Sequence, residues 1–214
     1  MQRQTVNRQV KPNDIETPPA LAEALYRLVT SQYEIKSILE PCSGFGNLIQ
    51  PFADNDFNDE LIIYDYEIKE NRDFFQENKK LSVDLVLANV PFNGYYKTKS
   101  INNDNLDLFD YEKPKASARK GKPEEWLPLK FLKHIFNLCG EEVKMFYFCS
   151  TGFLSNMDYK AQRRPYFEGI VKHITGRIIL PRDCFPNVKF WSEIIIFNMP
   201  LLRSCYFYGN GGIL

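Results

Sequence analysis

An apolar run that stops on an amide constrains this chain most. Asp84-Leu85-Val86-Leu87-Ala88-Asn89-Val90-Pro91-Phe92 carries no polar residue between Asp84 and Asn89. Such a run reads as a strand buried on both faces, as in a parallel sheet. In open α/β sheets, ligands bind just beyond the carboxyl ends of the strands. A side-chain amide, a fixed backbone carbonyl and an aromatic ring are therefore expected to project into a crevice. Those groups suit a flat heterocycle with an exocyclic NH2, whose two hydrogens the amide oxygen and a carbonyl accept while the ring stacks on its face. An ordinary strand ending in a proline turn is the competing structural reading of the same four residues.

The second informative stretch is Ser37-Ile38-Leu39-Glu40-Pro41-Cys42-Ser43-Gly44-Phe45-Gly46-Asn47. A short strand ends in Glu40, a tight turn holds Gly44 and Gly46, and a helix is expected from Leu48. Glycines let the backbone bend sharply and approach a ligand closely. No Lys-Ser/Thr follows them and the third glycine of the dinucleotide fingerprint is missing, so neither phosphate loop fits. An acid before a Gly-x-Gly loop suits a ligand with a cationic amine, such as an amino acid moiety. A purely structural turn is its rival.

The remaining segments alternate helix and strand. Residues 1–13 hold Arg3, Arg8 and Lys11 without an acid, and read as a flexible basic arm. Thr17 is placed as an N-cap with Pro18 at the first helical position, before a stripe of Leu21, Leu25, Leu28 and Val29. Leu61–Glu67 reads as a strand with acids at its end. Asp73 and Phe74 stand soon after it, an acceptor and a ring suited to an adenine. Residues 93–126 lack an apolar period, and a stretch of that length in a compact domain reads as a functional loop or disorder. Its later half is basic through Lys113, Lys115, Arg119, Lys120 and Lys122, either a solvated run or a phosphate contact. Trp126–Leu138 reads as a helix closed by Gly140, Val143–Cys149 as a strand, 151–156 as a loop and 159–172 as a polar helix. Arg177–Pro181 and Glu193–Phe197 read as strands, and the tail after 198 is uninformative. The alternation argues for one three-layer α/β/α domain over 14–214 with a mostly parallel sheet.

Composition narrows the function classes. The formal net charge is zero, so any nucleic-acid contact needs a local basic surface. The five cysteines are scattered without a C-x-x-C pair and read as reduced thiols of an intracellular protein. With two histidines and no close Cys/His spacing, no metal site is expected. The absence of a long apolar run or signal-peptide core implies a soluble, cytoplasmic chain without a membrane partner.

Taken together, residues 14–198 resemble the S-adenosylmethionine-dependent adenine-N6 DNA methyltransferases of restriction–modification systems. The family's Thr-Pro-Pro helix start matches Thr17-Pro18-Pro19. Its acidic Gly loop matches Glu40-Pro41-Cys42-Ser43-Gly44-Phe45-Gly46, and its catalytic tetrapeptide matches Asn89-Val90-Pro91-Phe92. The helix–Gly–strand run at 129–156 and the Leu-Pro…Phe-Pro…strand run at 180–197 are similar too. The resemblance implies a Rossmann-like class I methyltransferase fold and S-adenosyl-L-methionine as cofactor. It implies cofactor contacts from Thr17, Glu40, Pro41, Cys42, Gly44, Gly46, Asp65, Asp73, Phe74 and Asn89, with Glu67 the alternative to Asp65 at the ribose. Catalysis would fall to Asn89, Val90, Pro91 and Phe92, with Phe92 and the five basic residues of the 113–122 loop on the substrate. DNA is the expected partner ahead of RNA, with a specificity subunit or a second copy of the chain beside it.

The chain departs from the family at two points. Val90 replaces a proline, keeps the carbonyl the chemistry needs, and gives an Asn-aliphatic-Pro-aromatic pattern similar to that of ribosomal RNA adenine dimethyltransferases. No region after 198 corresponds to a target-recognition domain, which leaves the 93–126 loop as a small substitute. The alternatives are therefore an RNA adenine methyltransferase and a non-catalytic methyltransferase-like nucleic-acid-binding subunit. A glutamine methyltransferase fits less well, because the residues before Thr17 leave no room for its helical domain.

Overall fold

The computed structural model describes residues 15–55, 60–63, 74–92, 95–96, 125–155, 164–185 and 189–214. In chain order its elements are α1 (Pro19–Thr30), β1 (Ser37–Glu40), α2 (Gln50–Asp54), β2 (Glu60–Ile63), β3 (Leu85–Ala88), β4 (Tyr95–Tyr96) and β5 (Glu125–Trp126). There follow α3 (Leu127–Cys139), β6 (Lys144–Ser150), α4 (Gly152–Ser155), α5 (Arg164–Val171), β7 (Ile174–Leu180), β8 (Ser192–Phe197), β9 (Cys205–Gly209) and β10 (Gly212–Ile213). A single 3-10 turn lies at Phe74–Gln76.

One sheet runs β10-β9-β7-β8-β6-β3-β1-β2. It is mixed where a mostly parallel sheet was expected. Strands β2, β1, β3 and β6 are parallel neighbours. Strand β8 is antiparallel to both β6 and β7, β9 runs parallel to β7, and β10 folds back on β9. The link from β7 to β8 spans only residues 181–191, with no helix among its described residues, so β8 returns antiparallel.

The apolar strands serve both faces. Ile38, Leu85, Leu87, Phe146, Phe148, Ile194 and Ile196 pack with Leu21, Leu25 and Val29 of α1 and Phe52 of α2. Their sequence neighbours Leu39, Val86, Ala88, Met145, Tyr147, Ile195 and Phe197 pack with Phe131, Leu132 and Ile135 of α3. Each large apolar side chain buried this way contributes about 1.5–3 kcal/mol. Helix α3 stops where Gly140, at φ +85, takes the left-handed conformation and donates its N–H to Phe136 O at 2.9 Å.

Several boundaries differ from the sequence reading. Helix α1 begins at Pro19 with Pro18 as its cap residue, and Thr17 makes no cap bond. The segment 152–155, expected as loop, forms the single-turn helix α4. The 93–126 stretch is tied at its base, where Tyr95 and Tyr96 pair with Trp126 and Glu125. The tail forms a hairpin around Asn210 and Gly211, with φ of 51 and 76, the pair of left-handed residues that a tight two-residue turn needs. All five cysteines are free. Burial pushes the Cys139 thiol up to about 12 and that of Cys149 well above the ordinary range, so both stay protonated. No helix among the described residues is long and apolar enough to cross a membrane.

The pairing of β1 with β3 is pinned at its lower end by Asp84. Its Oδ2 accepts from the backbone N–H of Lys36 at 2.9 Å, the N–H of Ser37 at 3.0 Å and Ser37 Oγ at 3.1 Å. Ser37 Oγ in turn accepts the N–H of Asp84 at 2.9 Å. Partial burial raises the carboxyl's pKa, but these donors, with Lys144 nearby, outweigh it and hold the group below the ordinary carboxylate range. A depressed folded-state pKa stabilises the fold above the unfolded value of about 4 and is lost as pH falls through the folded value. Asp84→Ala should therefore cost about 1–3 kcal/mol in urea unfolding at pH 7. The gap to wild type should close as the pH is lowered below about 4.

Candidate functional site

The chain leaves β1 for β2 on one side and returns to β3 on the other, so the strand order reverses at β1. A reversal of this kind opens a crevice at the carboxyl ends of the two strands. Glu40 closes β1 and Asn89 follows β3 directly, so both stand at this crevice. A cleft there is lined by Glu16, Thr17, Glu40, Ser43, Gly44, Asn47 and Asn89 among others. Two carboxylates line it, with no lysine or arginine from the described residues. That donor set fits a ligand carrying positive charge.

The loop after β1 turns sharply, with Gly44 at φ +52 and Gly46 at φ +77. Gly46 donates its N–H to Ser43 O at 2.7 Å and Gln50 donates to Gly46 O at 3.1 Å, which leads into α2. Gly44 is also a point of close approach. A Cβ there would stand 2.8 Å from Glu16 Oε1, and Glu16 Oε2 accepts the N–H of Phe45 at 3.3 Å. Sequence reasoning passed over Glu16, although it adjoins Thr17. Asn47 was likewise unassigned, and its Nδ2 donates to Thr17 O at 3.1 Å.

Asn89 is the centre of the arrangement. Its Nδ2 donates to Ile15 O at 3.1 Å and to Thr17 Oγ1 at 2.9 Å, spending both amide hydrogens. The opposite atom, Asn89 Oδ1, is buried and accepts no hydrogen bond from the described residues. A buried acceptor left without a donor costs about 1–3 kcal/mol, so it invites one.

The other expected residues fall differently. Thr17, Pro41, Cys42 and Gly46 belong to the segments around the cleft, while Val90 and Phe92 are 2% and 4% exposed. Phe92 meets Phe185 and Phe190 edge-on at 6.0 and 5.1 Å, and those two rings stack on each other. Phe74 is fully buried, stacked on Phe131 at 5.8 Å and edge-on to His134. The structure thus puts Phe74 in the core between the sheet and α3. Its neighbour Phe75 is only partly buried, with Lys130 Nζ 4.0 Å from the ring centre. Asp65, Glu67, Asp73, Lys113, Lys115, Arg119, Lys120 and Lys122 lie outside the described residues.

Comparison with known proteins bears on this geometry. The family model described as N-6 DNA methylase matches residues 62–201, which include the Asn89–Phe92 tetrapeptide. The chain belongs to the N-6 DNA methylase family. No curated protein matches it in sequence. Among solved structures it is similar to a Listeria monocytogenes protein described as a class I S-adenosylmethionine-dependent methyltransferase, at 15% identity and a TM-score of 0.57. That match covers 96% of this chain and 69% of the other. The type I restriction–modification methyltransferase subunit of Streptococcus thermophilus is similar at 15% identity and a TM-score of 0.57, covering 93% and 49%. A Vibrio vulnificus protein described as the modification subunit of a type I restriction enzyme gives 14% and 0.57, covering 92% and 47%. This N-6 DNA methylase family chain therefore has a class I methyltransferase-like fold and spans about half the length of the two type I subunits.

The glycine loop of this family member can be tested by its two turns. Gly44→Ala meets both a left-handed backbone, costing about 1–2 kcal/mol, and the Glu16 carboxylate. Gly46→Ala meets only the backbone cost, because nothing lies within 4 Å of its Cβ position. In urea unfolding Gly44→Ala should be the more destabilising of the two, and adding Glu16→Ala should bring it level with Gly46→Ala.

Proposed function

We propose that this chain transfers a methyl group from S-adenosylmethionine to the N6 amino group of adenine in DNA. The observation that carries the reading is Asn89 Oδ1, a buried acceptor without a donor among the described residues, at the reversal point of the sheet. An exocyclic amine is the donor that fits it. The acidic cleft beside it supports a cationic cofactor.

Glu40, the Gly44–Gly46 turn and Thr17 would hold the cofactor's amino acid portion, with Pro41 and Cys42 shaping the loop. Asp65 and Asp73 remain the proposed ribose and adenine contacts. When bound, S-adenosylmethionine supplies an electrophilic methyl group on a sulfonium. The chain's own task is orientation and electrostatics. Adenine N6 is a weak nucleophile because its lone pair is delocalised into the ring. Asn89 Oδ1 and the Val90 carbonyl accept the two N6 hydrogens, which aims the lone pair and stabilises the positive charge that grows as the methyl moves. The extra proton then leaves to water, so no residue of unusual pKa is required. Stacking by Phe92 requires its face to be yielded by Phe185 and Phe190 as the base leaves the duplex. The basic residues of the 113–122 loop are the proposed phosphate contacts, and a specificity subunit, as in type I systems, is a proposed partner.

An RNA adenine target is the second reading, favoured by Val90 in place of proline. Incubation with methyl-labelled cofactor, followed by separation of duplex DNA, single-stranded DNA, RNA and protein, distinguishes the two. Label is expected in DNA as N6-methyladenine. Label in RNA alone selects the second reading, and cofactor binding without transfer to any pool selects a non-catalytic binding subunit. Asn89→Ala should lower the transfer rate by about 100- to 1000-fold while retaining cofactor binding. Near-normal turnover in that variant would refute the assignment.

A further inference from the structure

The loop that joins β7 to β8 sends two neighbouring rings in opposite directions. Phe190 is half-buried, meeting Phe92 edge-on at 5.1 Å and stacking on Phe185 at 5.9 Å. Trp191, the next residue, is 59% exposed. Its backbone is nonetheless fixed. Trp191 O accepts the N–H of Thr151 at 3.3 Å, and Ser192 beside it pairs with Ser150 and Leu180. The register puts the indole at the crevice end of the sheet. Ala88, Tyr147 and Ile195 form one row across β3, β6 and β8, and Phe92 and Trp191 each lie four residues beyond that row on the crevice side. The same loop carries two exposed cations, Arg182 and Lys189, against one acid, Asp183. Arg182 Nε donates to Lys189 O at 3.5 Å, which ties the two ends of the loop together.

We infer that Trp191 is a stacking platform for an unpaired base next to the target, with Arg182 and Lys189 on the adjoining phosphates. The inference rests on the nucleic-acid reading above. A base that leaves the duplex for the crevice deprives its neighbours in the strand of a stacking partner. An exposed indole at the rim of that crevice replaces the lost partner, as inserted side chains do elsewhere between unstacked bases. Stacking of this kind tolerates any sequence, because every base has a π-face. The basic pair supplies, locally, the attraction for phosphate that a chain of zero net charge does not have as a whole. Continuity with the Phe92 cluster and the adjoining positive charge favour a nucleic acid over a protein partner at this surface.

Two measurements on the full chain test it. The first follows tryptophan fluorescence in a Trp126→Phe background, where Trp191 is the single tryptophan. Where that variant does not fold, the difference between wild type and Trp191→Phe gives the same signal. Single-stranded oligo(dT), or an abasic strand of equal length, is added with S-adenosylhomocysteine present. Oligo(dT) should quench the indole and the abasic strand should not. The second measurement reads affinity from the anisotropy of the labelled strands. Wild type should prefer oligo(dT) by about tenfold or more, and Trp191→Ala should cut that preference by at least about fivefold, the low end of one stacked base. Trp191→Phe keeps a ring and should retain part of it. Replacing Arg182 and Lys189 together by Ala should lower the salt slope of log affinity by about 1.4, as for two phosphates of a single strand, and leave the quenching in place. Oligo(dT) binding without quenching of Trp191, or an undiminished preference in Trp191→Ala, overturns the inference and leaves the methyltransferase reading standing. A wild type that binds neither strand at low salt overturns both. Base-dependent quenching in a protein that labels no nucleic acid supports the platform and overturns the proposed transfer.

Discussion

The site depends on the alignment of two short strands. Strands β1 and β3 are four residues each and share only two paired positions, Ile38 with Leu85 and Leu39 with Val86. Because side chains alternate along a strand, a slip of one residue would send Asn89 and Glu40 to the wrong faces. Asp84 and Ser37 prevent that slip. A single carboxylate oxygen gathers three donors from the start of β1, at the end of the strands opposite the crevice. The polar contact below sets the position of the polar contacts above, with apolar side chains filling both faces in between.

Burial on both faces also explains why function collects at the strand ends. Strand β3 carries four fully buried residues, and β8 carries six buried ones. A sheet covered on both sides offers a ligand no face, only its rim. At the rim of β1 and β3 the backbone has already left the ladder, and the glycine turn and the pre-helical segment 15–17 come together. Neither α1 nor α2 supplies the polar atoms that matter. They hold the rim's loops against the core through Leu21, Leu25 and Phe52.

Local chemistry was legible in the sequence where it was also locally determined. The buried strand with its terminal amide, the glycine turn and the Gly140 stop all follow from residues close together in the chain. The hairpin at the tail was not read from the sequence: Tyr206 alone is well buried in β9, so the strand pattern there is faint. Phe74 was read as a ring for an adenine, whereas Phe74 and Phe75 both pack on Phe131 and His134 of α3 and Phe74 is the fully buried one of the two. Thr17 was misplaced for a related reason. Read locally, a Thr before Pro-Pro is a helix cap, whereas its partner in the fold is 72 residues away. Antiparallel β8 went unseen because periodicity reports burial and carries no strand direction.

Hydrogen bonds between side chains have a sense, and at this site the sense is carried in a series. Asn47 donates to the Thr17 carbonyl, and Asn89 donates to Thr17 Oγ1 and Ile15 O. Every donor on Asn89 thus points toward the 15–17 segment, and what remains is one oxygen. The arrangement is unfavourable by itself, since the orphan acceptor costs about 1–3 kcal/mol that a fully paired amide would not. Stability would be better served by an apolar residue at position 89, with Thr17 capping its helix. Both groups instead take part in a pairing that the fold alone does not need. The cost is offset when a donor reaches Oδ1 from outside, which under the proposed function is the adenine amine.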